Sequence, residues 1–179
     1  MNYINKTRMI SGAIILIIVA AAALYYFFVP VKIVDVNNYF ELSASSKYDF
    51  VQNDYKEKDE TPTLSKMDTK KQIYLKGSAY KPSDKTLKTL IEDDKKTFPE
   101  SLEGREVSEI KEFKTKNYEA YKYSFVYEDN AKIDFYQTVY FIEAENGFYI
   151  IDIECKNVDR AKYEKDFDKI LKTFKELDA

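Results

Sequence analysis

Three acidic residues stand where they could do chemistry. Glu143, Asp152 and Glu154 alternate with apolar residues in the segments Phe141-Ile142-Glu143-Ala144 and Ile151-Asp152-Ile153-Glu154-Cys155. On paired strands this alternation puts all three on one face, beside Val139, Phe141 and Ile150. A carboxylate against apolar walls has a raised pKa, and it can hold a cation or accept hydroxyls from a sugar. These three are the candidate ligand-binding residues. Against that stands the ordinary fate of surface acids, solvation beyond the edge of a covering element, which is the favoured reading.

Other reactive types are scarce. The chain has no histidine and a single cysteine, Cys155. Ser-His and Cys-His nucleophilic pairs, His metal ligands and an intramolecular disulfide are therefore excluded. A lone thiol in an exported domain could pair with another chain, but Cys155 falls on the face expected to be core, opposite Thr138, where an inert thiol is the simpler reading. The four glycines, Gly12, Gly77, Gly104 and Gly147, are scattered and form no phosphate-cradling loop. No calcium-loop motif occurs, and no catalytic residue, cofactor or metal is expected. Tyrosine is abundant, with seven between Tyr118 and Tyr149. Such a ladder suits a sugar or a protein partner, and equally cross-strand packing, to which most of these residues are assigned. A hydrolase with paired carboxylates ranks last, since no pair can be placed around a cleft.

The elements that position these residues read as follows. From Val107 to Lys156 there is no proline, and four strands are expected: Val107 to Phe113, Tyr118 to Tyr127, Lys132 to Ala144 and Phe148 to Lys156. Asn146-Gly147 is a hairpin signal. With those two residues as the turn, Ala144 pairs Tyr149, Ile142 pairs Ile151, Tyr140 pairs Ile153 and Thr138 pairs Cys155. A four-residue loop, Glu128 to Ala131, extends that face to Tyr121, Tyr123 and Phe125. The opposite face carries Val126, Ile133, Phe135, Val139, Phe141, Phe148 and Ile150. Asp159 to Leu177 is an amphipathic helix with Tyr163, Phe167, Ile170, Leu171, Phe174 and Leu177 on one side. It is expected to cover the Tyr149, Ile151, Ile153 face.

Upstream, Tyr48 to Val51 reads as a first strand and Asp54 to Thr61 as a solvated charged loop. Gln72 to Ala79 reads as a strand, with Ile73, Leu75, Gly77 and Ala79 on one face. A helix capped by Ser83 or Asp84 carries Leu87, Leu90, Ile91 and Phe98 and ends at Pro99. It is the natural cover for the second sheet face. The fold class is α+β, a helix/antiparallel-sheet/helix sandwich.

The chain begins differently. Ile10 to Val29 is uncharged and would span about 30 Å as a helix, a bilayer's hydrocarbon thickness. Lys6 and Arg8 precede it, so residues 1–9 are expected in the cytoplasm and everything after Pro30 outside. A cleaved signal peptide would use Ala20 to Ala23, but the apolar run continues past them, and an uncleaved single-pass anchor in the cell membrane is expected. The only cysteine is Cys155, so no lipid-modifiable cysteine follows the run, which excludes a lipoprotein. Residues 30–46 read as a connector, with Val31 to Val36 as a short strand or pairing edge and Ser43 to Ser46 as a spacer. Residues 47–179 form the extracytoplasmic domain. Without Lys6 and Arg8 the balance is 26 basic against 31 acidic residues, which argues against nucleic acid and against tight docking on anionic lipid.

The order of elements resembles the PsbP-like fold, the group that includes the extrinsic photosystem subunit, DcrB-like proteins and many bacterial exported lipoproteins. The resemblance covers about Lys47 to Leu177. It rests on the strand ending at Ala79-Tyr80, the helix, the long meander, and the terminal Phe167-Asp168-Lys169-Ile170-Leu171-Lys172-Thr173-Phe174. The usual opening Phe-x-x-x-x-Pro-x-x-Trp is represented only by Phe50. The resemblance implies an accessory or assembly module that binds proteins or ligands without chemistry of its own, and it carries over no catalytic residue. The sequence thus reads as a non-catalytic subunit of a cell-envelope complex with a protein partner. The alternative is an extracytoplasmic module for a glycan or small solute.

Overall fold

The computed structural model describes residues 14–21, 29–53, 63–80, 86–96 and 106–177. Residues 14–21 are helical (α1). The strands and helices that follow are β1 (Pro30–Val34), β2 (Phe40–Ser45), β3 (Val51–Gln52), β4 (Leu64–Asp68), β5 (Ile73–Tyr80), α2 (Leu87–Lys96), β6 (Lys111–Lys114), β7 (Glu119–Glu128), β8 (Asp134–Ala144), β9 (Gly147–Lys156), α3 (Arg160–Lys172) and β10 (Lys175–Glu176). A 3₁₀ turn, Asn157–Asp159, joins β9 to α3.

Seven strands form one antiparallel sheet in the order β3-β4-β5-β9-β8-β7-β6, and a smaller sheet has the order β1-β2-β10. One face of the large sheet is covered jointly by α3 and the small sheet. Tyr163, Phe167, Ile170, Leu171 and Phe174 pack there with Tyr140, Ile142, Tyr149, Ile151 and Ile153, and with Ile33, Phe40, Leu42 and Ala44 of the small sheet. On the other face Leu87 and Ile91 of α2 bury Tyr123, Phe125, Val139 and Phe141. Helices thus lie on both faces of a mainly antiparallel sheet, as the hydrophobic pattern predicts. Thr86 begins α2, its hydroxyl accepting the Thr89 N–H at 3.3 Å. The expected caps Ser83 and Asp84, the charged loop Asp54 to Thr61, and Phe98 with Pro99 lie outside the described residues.

Five departures from the sequence reading have physical causes. First, the β8–β9 hairpin turns at Glu145-Asn146, with Ala144 opposite Gly147, Ile142 opposite Tyr149, Tyr140 opposite Ile151 and Thr138 opposite Ile153. The Glu176 carboxylate accepts the N–H groups of both turn residues, each at 3.0 Å, and so selects this turn. The slip is two residues, so every side chain keeps its face.

Second, the β7–β8 loop is longer than expected. Glu128 pairs Asp134, and Asp129 Oδ1 accepts the N–H of Ala131 at 2.9 Å and of Ile133 at 2.8 Å. This offset exchanges the faces of β7. Tyr121, Tyr123 and Phe125 join the α2 side, and Val126 joins the α3 core.

Third, the segment read as a connector is built into the fold. Phe40, Leu42 and Ala44 alternate inward along β2 and are buried, as is Ile33 of β1. Fourth, β4 has no counterpart in the sequence reading, and the strand expected at Tyr48 shrinks to Val51–Gln52. Fifth, the terminal helix stops at Lys172. The chain then turns, so that Lys175 and Glu176 pair with Glu41 and Phe40 of β2.

Among the described residues no helix is long and apolar enough to cross a membrane. Of the expected span Ile10 to Val29, residues 14–21 and Val29 are described. The large side chains from Ile14 to Val19 are all more than half exposed.

Candidate functional site

On the sheet face that Leu87 and Ile91 of α2 help to cover, a recess of about 430 Å³ opens at the Glu154 end. Tyr74 of β5 lies opposite Glu154 of β9, and Phe135 of β8 lies opposite Tyr127 of β7. The Tyr127 and Phe135 rings stack at 5.7 Å, and Tyr74 meets Phe135 edge-on at 6.2 Å. The Tyr127 hydroxyl donates to Glu154 Oε2 at 2.8 Å. Asn53, Met67, Lys76 and Asp129 complete the lining.

Burial, then the Glu154 charge and its hydrogen bond, push the Tyr127 hydroxyl well above its ordinary pKa. It therefore stays a donor and fixes the carboxylate's orientation. Asp129, the other acid here, is committed to its own loop through Ala131 and Ile133. The arrangement offers one oriented carboxylate, aromatic walls and a lysine, a set suited to holding a polar solute.

The three predicted site residues do share the α2 side of the sheet, but they do not converge. Glu154 lines the recess. Asp152 lies one pleat away, half-buried, opposite Val139 and Lys76. Glu143 is exposed and opposite Phe148, about 13 Å further along the strands at the usual rise per residue. Among the described residues no group of three or more potential ligands could hold a metal ion. Cys155 is fully buried opposite Tyr136 rather than Thr138, and burial, followed by the charges of Asp159, Glu154 and Glu164, pushes its thiol up to about 12.

A second concavity, of about 670 Å³, lies between β2 and the C-terminal half of α3. Asp166 is its polar centre. Its carboxylate pairs with Lys47, with Lys169 at 2.9 Å, and with the Tyr48 hydroxyl at 2.8 Å. Burial alone would raise Asp166, but hydrogen bonds from Lys47, Lys169 and Tyr48 prevail and hold it at about 2. The sequence reading missed this site, because Lys47 and Asp166 are 119 positions apart.

The tyrosines serve a further structural pattern. Tyr136 donates to Glu164 and Tyr140 to Asp168, each at 2.8 Å, and Tyr149 donates to Glu176 at 2.7 Å. Sheet hydroxyls thus tie down Glu164 and Asp168, which flank the apolar stripe of α3, and Glu176 of β10.

No family model and no curated protein sequence matches this chain. Solved structures do. LpqN, involved in cell envelope biogenesis of Mycobacterium tuberculosis, superposes with a TM-score of 0.56 at 8% identity, over 84% of this chain and 91% of that one. Cyanobacterial PsbP (CyanoP) from Synechocystis sp. PCC 6803 superposes with a TM-score of 0.57 at 16% identity, over 82% of this chain and 92% of that one. The chain has a PsbP-like fold, a mixed helix and antiparallel-sheet architecture.

Proposed function

We propose that this chain is a single-pass, membrane-anchored and non-catalytic accessory or assembly subunit of a cell-envelope protein complex, with its N-terminus in the cytoplasm and its folded domain outside. One observation carries the reading. The uncharged run Ile10 to Val29 ends where the fold begins, at Pro30 of β1, and its described helical part turns large apolar side chains to the surroundings. An exposed stripe of that kind is costly in water and at home in hydrocarbon. The PsbP-like fold, shared with an envelope biogenesis protein, fits an extracytoplasmic interaction module.

The test is the native mass of the full-length protein extracted from its own membrane in mild detergent. A mass far above that of a 21.1 kDa chain plus detergent, with other polypeptides in stoichiometric amounts, supports the subunit role and identifies the partners. A lone monomer or homodimer overturns it. The second reading, an extracytoplasmic solute-binding module, is favoured by the oriented Glu154 carboxylate in its aromatic recess. Saturable binding of a sugar, lost in Glu154→Gln with unchanged melting, would promote it to first place.

A further inference from the structure

We propose that the groove between β2 and α3 takes an acyl chain of an anionic phospholipid from the surrounding membrane, with the lipid phosphate held at its rim by Lys47 and Lys169. This rests on the anchored reading above. Three observations bear on it.

The first is position. Pro30 lines the groove and is also the residue at which the apolar run ends. The groove mouth therefore lies at the level of the lipid headgroups, and an acyl chain need not cross water to enter it.

The second is shape. β1 pairs with β2 from Glu41 to Ser45, but on the other edge of β2 the strand β10 reaches only Phe40 and Glu41. Beyond that, the Ser43 N–H donates to the Thr173 hydroxyl at 2.7 Å, and the strand edge at Ala44 and Ser45 borders the groove instead of a neighbouring strand. Pro30 is the exposed apolar residue of its wall, the buried Ala44 and Ile170 lie beneath its floor, and its volume of about 670 Å³ is in the range of small-molecule cavities.

The third is charge. Two ammonium groups meet one carboxylate at Asp166, which leaves a net positive rim. Each ammonium has three N–H donors, so pairing with Asp166 leaves capacity on both for phosphate oxygens. The domain as a whole is acidic, and this local excess is complementary to a phosphodiester.

The test uses the full-length chain reconstituted into vesicles containing phosphatidylglycerol, or phosphatidylcholine, with a diazirine on one acyl chain. After photolysis, flotation is scored and adducts are mapped by peptide mass spectrometry. The proposal expects adducts in residues 43–48 and 166–173 as well as in the apolar run. Labelling from phosphatidylglycerol should exceed that from phosphatidylcholine, and Lys169→Gln should reduce the groove adducts about fivefold, the effect of one lysine at an anionic interface. Ser45→Trp, which fills the groove, should remove them while the melting temperature is kept. Floating protein labelled only in the apolar run overturns the groove site, leaves the anchor standing, and returns the groove to a protein occupant. Equal groove labelling from both lipids overturns the role of the lysines. Protein that does not float overturns both the anchor and the inference built on it.

Discussion

The hydroxyl of Tyr140, a side chain with no exposure, donates a 2.8 Å hydrogen bond to Asp168 Oδ1 on α3. Lys122 of β7 pairs with the same oxygen. Burial, then the Asp168 charge and its hydrogen bond, push the Tyr140 hydroxyl well above its ordinary value, so it donates across the accessible pH range. Glu164 and Asp168 lie on one flank of the apolar stripe of α3 and take hydroxyls from β8, while Asp166 on the other flank takes Tyr48. The helix is thereby fixed in rotation as well as in depth.

Removing the donor should be milder than removing the acceptor. Tyr140→Phe deletes one hydrogen bond to a charged group whose lysine partner remains, an expected loss of about 1.5 kcal/mol. Asp168→Ala strands a buried phenol and unpairs Lys122, an expected loss of about 2–3 kcal/mol. Chemical denaturation of the two single variants and of Tyr140→Phe/Asp168→Ala measures the coupling. A coupling near zero would show that the hydroxyl is equally well satisfied elsewhere.

Acid should unlock the other flank of α3. Asp166 has a folded-state pKa of about 2 against an ordinary 3.8. A depressed carboxylate pKa contributes stability that is present above pH 4 and lost as the pH falls from 4 through 2. Asp68, also lowered despite its burial by hydrogen bonds from Lys71 and from the backbone N–H groups of Asp49 and Lys71, works in the same direction. The melting temperature should therefore fall over that window. Asp166→Asn should lower it at pH 7, and the gap between the variant and the natural chain should narrow toward pH 2. A gap independent of pH would mean that the Lys47 and Lys169 pairs contribute nothing.

Where apolar periodicity is strong, the sequence was legible. Leu87 and Ile91, Tyr163 to Phe174, and the alternation from Tyr149 to Cys155 all lie where their spacing predicts. The two-residue slip at the hairpin cost nothing, because strand faces repeat every two residues. The loop between β7 and β8 did cost something, since its length depends on how Asp129 folds its own backbone, which periodicity does not report. β2 hides behind serines: in Phe40-Glu41-Leu42-Ser43-Ala44-Ser45 the inward set ends in a small residue. Glu154 was legible as an acid on an apolar-walled sheet face, with solvation the favoured reading, but its recess was not, because the rings of Tyr74 and Tyr127 come from strands remote in sequence. The Asp166 centre was invisible for the same reason, as its two halves, Lys47-Tyr48 just after β2 and Asp166 with Lys169 on α3, are brought together only by the packing of that segment against α3.

Cys155 should behave as a hydrophobic side chain. It is fully buried and its thiol is pushed up to about 12, first by burial and then by neighbouring acids. Ellman's reagent at pH 8 should label the folded protein at least about a thousandfold more slowly than the unfolded chain, because labelling must await an opening. Cys155→Ser, which puts a hydroxyl in that apolar place, should cost about 1–3 kcal/mol. Rapid labelling of the folded state, or an intermolecular disulfide in non-reducing gels, would show instead a thiol that reaches the surface.

The joint between the two sheets is a matter of one missing methyl group. Gly77 of β5 sits where a Cβ would lie 2.8 Å from Phe40 Cζ and 3.4 Å from Leu64 Cβ. The Phe40 ring has nowhere to go. It stacks on Phe174 at 5.7 Å, meets the Tyr149 ring edge at 5.5 Å, and has no exposure. Gly77→Ala should therefore overpack the core and destabilise it by about 1–3 kcal/mol, although alanine suits a strand better than glycine. Shortening the ring should relieve the clash. Phe40→Leu alone leaves a gap and costs about 1–2 kcal/mol, whereas in the Gly77→Ala background its further cost should shrink toward zero. Denaturation of the four chains gives that difference directly. Additive losses would mean that the small sheet shifts as a body to admit the methyl, and that Gly77 is not what sets its distance from β5.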